Sequence, residues 1–109
     1  MIASAKILGQ SKPAATSVTV LYTAPLSGEA QGTVTCCNQS TSTDTVKISL
    51  VKAGDSTATP PAYSFVVFAT SVPSNGVLEK SFDIGAGDSV VVSSAAGSIS
   101  FIATGLELK

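Results

Sequence analysis

Two cysteines stand side by side in VTCCNQSTSTDTVKISL, residues 34–50, just ahead of a run of Ser and Thr. Adjacent thiols suggest metal binding, redox exchange or nucleophilic attack, and each of these makes demands on the rest of the chain. In an extended strand successive side chains leave opposite faces, so Cys36 and Cys37 cannot converge on one ion. A four-coordinate zinc site needs two further Cys or His ligands, and the chain has no other Cys and no His. A disulfide between the two would distort the peptide that joins them. A catalytic thiol needs a base or a positive neighbour to lower its pKa. The pair reads as strand residues, with Cys36 a small core side chain and Cys37 facing outward or into an interface.

The other chemistry-bearing residues fare similarly. Serine is abundant, but a His-based triad cannot be built, and no Gly-rich elbow frames a Ser near a Lys. The carboxylates are Glu29, Asp44, Asp55, Glu79, Asp83, Asp88 and Glu107. Asp83 and Asp88 flank IGAG without the dense ligand series of a calcium loop. They read as turn residues whose side chains bond nearby backbone N–H groups. Asn38-Gln39-Ser40 matches a glycosylation acceptor, but no continuous signal-peptide core stands at the N-terminus. With no export signal of its own, the chain is expected in a reducing compartment. The expectation is a non-enzymatic protein with no catalytic residue, no cofactor and no metal.

These residues sit on strands. Alternation with a period of two recurs along nearly the whole chain. It places Val18, Val20 and Tyr22 on one face, and likewise Val34 with Cys36, and Val46 with Ile48 and Leu50. Further on it groups Tyr63, Phe65, Val67 and Ala69, then Leu78, Phe82 and Ile84, then Val90 and Val92, then Ile99, Phe101 and Ala103. An opening strand covers residues 2–9. Turn chemistry in PLSGEAQG, GDSTATPP, VPSNG, IGAGD and SAAGS separates the runs. Asn75-Gly76 is the strongest short hairpin signal, and Pro60-Pro61 marks the longest loop. No stretch shows helical spacing with caps. The fold class expected is all-β: a single antiparallel β-sandwich, Ig-like or jelly-roll-like, of about eight short strands, spanning residues 1–109 as one domain.

Composition narrows the partners. Charged residues are 12% of the chain, about half the ~25% usual for globular domains. There is no Arg, and six scattered Lys do not form the basic stripe that nucleic acid requires. No apolar run approaches the ~20 residues of a membrane-spanning helix. A net charge of −1 and a mean hydropathy of +0.42 suit a surface that is partly covered in an assembly. If the alternating residues above fill the core, Val66, Phe68, Val91 and Ile102 leave the opposite face. Together they form a candidate protein-interface patch.

Three phrases carry a resemblance: VTVLYTAP at 18–25, VTCCNQSTSTDTVKISLVKAGD at 34–55, and FDIGAGDSVVVSSAAGSISFIATGLEL at 82–108. In this order they resemble a family of small β-sandwich virion proteins of tailed bacteriophages, common in phages of cyanobacteria. The match rests on Leu21, Tyr22, Thr23, Pro25, Cys37, Asn38, Ala86, Gly87, Asp88, Phe101, Gly105 and Glu107. The middle segment AYSFVVFATSVPSNG is more apolar than the family's usual Tyr- and charge-rich strand. The resemblance implies a virion structural protein made in the host cytoplasm, most simply a capsid decoration or cement protein on the phage major capsid protein. The alternative is a tail, collar or fibre component involved in host attachment. An apolar outer face implies a homo-oligomer, with a trimer favoured. A small enzyme or a carbohydrate-binding module is disfavoured by the absence of His, Arg and Trp.

Overall fold

The computed structural model describes residues 3–108; Met1, Ile2 and Lys109, and so the first residue of the expected opening strand, lie outside the described residues. Eight strands carry the fold: β1 (Ala3–Ser11), β2 (Thr19–Thr23), β3 (Glu29–Asn38), β4 (Asp44–Val51), β5 (Phe65–Val72), β6 (Val77–Ile84), β7 (Ser89–Ser94) and β8 (Ile99–Leu108). A single 3-10 turn, Ala62–Ser64, precedes β5. β-Branched residues, which pack well on a pleated surface, are frequent in β2, β4, β5 and β7.

The strands form two four-stranded antiparallel sheets, in the order β1-β8-β3-β6 and β2-β7-β4-β5. This interleaved order is that of a jelly roll, so the sandwich is of the jelly-roll rather than the Ig-like kind. Only β4 and β5 are both consecutive in sequence and paired in one sheet; every other connection crosses between sheets. The Asn75-Gly76 turn therefore joins β5 of one sheet to β6 of the other and is not a hairpin. Gly76 N–H donates to the Pro73 carbonyl at 2.8 Å and Asn75 has φ 56°. Positive φ at the third residue alone fits a type II turn, not the type I′ turn that joins hairpin strands.

Between the sheets lies one apolar core that includes Val34, Cys36, Val46, Ile48, Val90, Val92, Ile99 and Phe101, each almost fully buried. Alternation named these residues correctly. It failed where a strand bulges, because an extra residue inverts the parity of everything beyond it. In β5, Val67 pairs with Ile48 and Phe65 with Ser49, which leaves Val66 as an extra residue. A second irregularity sets Phe68 and Ala69 against Lys47 alone, and Ala69 takes φ 49°. As a result Phe65 and Ala69 are not core residues, and Phe65 stands edge-on to Phe68 with ring centroids 5.1 Å apart; Tyr63, expected to share their face, lies in the 3-10 turn before the strand and is 82% exposed. A further bulge at Leu21 separates buried Tyr22 from exposed Val18 and Val20.

Exposed strand edges invite pairing with other chains, and natural sheets blunt them with bulges or inward-pointing charges. All four edges here are treated in this way. β1, β2 and β5 each carry a register shift. β6 runs in continuous register with β3, but it sets Lys80 opposite buried Val34, on the core-facing side of the strand between Leu78 and Phe82. Such edges disfavour association by strand addition and leave the sheet faces and the loops as contact surfaces.

Candidate functional site

Among the described residues no three His, Cys, Asp or Glu side chains group together as metal ligands. Cys36 lies in the core, and burial pushes its thiol pKa up to about 12. Cys37 is half-buried on the outer face of β3, and neither thiol is bonded.

The buried carboxylates are held by structural bonds. Asp44 heads β4 with only 2% of its surface exposed. Its Oδ1 accepts the N–H groups of Thr45 and Ala96 at 2.7 and 2.9 Å. Its Oδ2 accepts the N–H and hydroxyl of Ser98 at 3.2 and 2.8 Å. Burial by itself would raise the Asp44 pKa, but these bonds to Ala96, Ser98 and Thr45 outweigh it and hold the pKa below the usual carboxylate range. Asn38 completes this end of the sandwich by donating to the carbonyls of Ser42 and Val72, both at 2.9 Å. At the other end Asp88 accepts the N–H groups of Gly85 and Ala53 at 3.0 and 2.9 Å, so it is a turn residue as expected. Asp83 instead lies exposed within β6. Among the described residues no buried side-chain N or O atom lacks a hydrogen-bond partner.

The surface feature that these bonds do not explain is the outer face of β2-β7-β4-β5. Strand register aligns Val20, Val91, Ser49 and Phe65 in one row across all four strands. The adjoining row brings Ser93 beside Lys47 and Lys47 beside Phe68. A cavity of about 240 Å³ opens in this face. Val91 and Ser49, 2% and 1% exposed, floor it. Val18 walls it on the β2 side and Phe65 on the β5 side, with Lys47 and Thr45 at the rim. The Lys47 ammonium sits 4.6 Å from the centre of the Phe68 ring, and no carboxylate lines the cavity.

The four residues expected to form an interface do not make one patch. Val66 and Phe68 are exposed on β5, but Val91 is buried beneath its neighbours at the cavity floor. Ile102 lies on β8 in the other sheet, half-buried and paired with Gln10 and Thr35. The alternation rule gives the side of each strand but not the sheet to which the strand belongs, and β8 went to the opposite sheet. Sequence reasoning missed Val18, Phe65 and Lys47, which bulges and pairing bring to this face. It also missed Leu26, although an apolar residue inside the PLSG turn was a legible signal.

No protein-family model matches the chain, and comparison with curated proteins and with solved structures finds no match.

Proposed function

We propose that this chain is a non-enzymatic structural protein of a bacteriophage virion. In this reading it is a decoration or cement protein that binds the assembled head as a homo-oligomer, a trimer being favoured. The single observation that carries the docking function is the outer face of β2-β7-β4-β5. It displays Val18, Val20, Phe65 and Phe68 around a cavity that no carboxylate lines, while all four strand edges are guarded against pairing. An apolar face rimmed by hydroxyls is the kind of surface that marks protein contacts. Burying one such side chain contributes about 1.5–3 kcal/mol, whereas an exposed ion pair gives ~0–1 kcal/mol and weakens with salt. The jelly roll is shared by viral capsid proteins, lectins and cupins, so the fold itself is compatible with the reading without selecting it. The resemblance of the LYT-P, Cys-Asn and late AGD segments supports the virion setting.

The test is Phe68→Asp, placed at a side chain 62% exposed. The variant should fold like the parent but lose self-association and capsid binding, while the parent should stay associated at high salt. The chain should be present in hundreds of copies per particle; a dozen or fewer would favour the tail or collar. A monodisperse parent monomer that never binds a shell would overturn the reading. So would turnover of a peptide, ester or glycan substrate that vanished with a single substitution.

A further inference from the structure

The 240 Å³ of the cavity on the outer face of β2-β7-β4-β5 is below the roughly 300–1,000 Å³ of small-molecule sites. It suits a single side chain. Val18, Phe65 and Val91 make it apolar, and Lys47 is its one charge. Among the described residues the one ion pair joins Lys6 to Glu107, so Lys47 has no carboxylate partner among them. A fitting occupant brings an apolar side chain with a negative charge close behind it.

The turn that leads into β3 displays that combination. Gly28 N–H donates to the Pro25 carbonyl at 3.2 Å, closing a turn with Leu26 at its corner. Leu26 is 87% exposed, the most exposed large apolar side chain among the described residues. Glu29 follows at the start of β3, exposed and without an ion pair to any described residue. Leu26 stands beside Gly87 and the start of β7, whereas the cavity reaches Ser94 and Ala95 at the end of β7. Leu26 is not among the residues that line the cavity, so the turn and the cavity are separate surfaces and Leu26 does not fill the cavity of its own chain.

We propose that the cavity receives Leu26 of a second copy of this chain, with Glu29 of that copy set against Lys47. Turn and cavity are different surfaces, so the contact is head-to-tail, and a head-to-tail contact that closes makes a ring. The inference rests on the reading of this face as the docking face and names its occupant.

The experiment uses the full chain in analytical ultracentrifugation. Leu26→Asp damages the turn and Val18→Asp damages the cavity, both at exposed positions. Each should weaken self-association by roughly ten- to a hundredfold. Mixed in equal amounts, one variant supplies an intact cavity and the other an intact turn, so the pair should form a heterodimer that cannot grow. Glu29→Lys should weaken association, and adding Lys47→Glu should restore it. If circular dichroism shows Leu26→Asp unfolded, Leu26→Ser takes its place. Should Leu26→Asp assemble like the parent while Phe68→Asp dissociates, the docking face stands but this occupant is overturned. A mixture that stays monomeric overturns the head-to-tail contact. If both Leu26→Asp and Phe68→Asp assemble like the parent, the docking face itself falls.

Discussion

The Tyr22 hydroxyl donates to Glu107 Oε2 at 2.5 Å, joining the two sheets across 85 positions of sequence. Glu107 is only 7% exposed, and its Oε1 lies 2.7 Å from Lys6 Nζ. Strands β1, β2 and β8 are thus clasped around one buried carboxylate.

Tyr22→Phe removes one donor from this buried carboxylate, at a cost of about 1–3 kcal/mol. Urea unfolding should show the lower midpoint with an unchanged slope. Burial first, then the bond to Glu107 and its charge, raise the Tyr22 pKa. A raised folded pKa stabilises fully below the unfolded value of about 10 and loses that stability as pH rises through the folded value. The parent should therefore lose stability in alkali more steeply than Tyr22→Phe. Equal alkaline slopes would remove the clasp from the account.

Asp44 has the opposite sign. Its folded pKa is lowered, so its contribution is present above about pH 4, the unfolded value, and is lost as pH falls through the folded one. Asp44→Asn should lower stability at neutral pH by about 1–3 kcal/mol and flatten the acid limb of the stability curve. Parallel acid limbs in parent and variant would show that Asp44 does not set it.

Thiol labelling should separate the cysteines. Cys37 is half-buried and Cys36 fully buried with its pKa near 12, and the thiolate is the reactive form. Intact-mass measurement should give one adduct per native chain, at Cys37, and two after denaturation. Bound zinc or a disulfide joining the two would contradict the structure.

Lys80 should protect the β6 edge. Lys80→Val completes an apolar core-facing side on the one edge strand without a register shift, the kind of edge that recruits other strands. Light scattering should show concentration-dependent association that Glu79→Val, on the outer side of the same strand, does not match. A Lys80→Val protein as soluble as the parent would leave the edge guarded by something else.

Most of the core was legible in the sequence, because a period-two pattern reports which side chains share a side of a strand. Val46 with Ile48, Val90 with Val92, and Ile99 with Phe101 all fill the core as that pattern requires. The candidate face was less legible. Phe65 and Phe68 are three apart and should oppose each other in a regular strand, yet the bulges of β5 turn both rings to one side. No residue type in FVVFAT announces those bulges.

By itself the sequence determined the all-β class, the strand count, the burial of Cys36 and the turn at Pro73–Gly76. These depend on local alternation, β-branched composition and turn chemistry, which act over a few residues. Only the tertiary structure decided that β8 joins β1 and β3 while β5 joins β4, and so that Ile102 and Phe68 lie on opposite faces. It also decided that Glu107 closes on Tyr22. Strand partners and bulges are chosen by how two whole sheets fill one core, a condition that no local pattern can express.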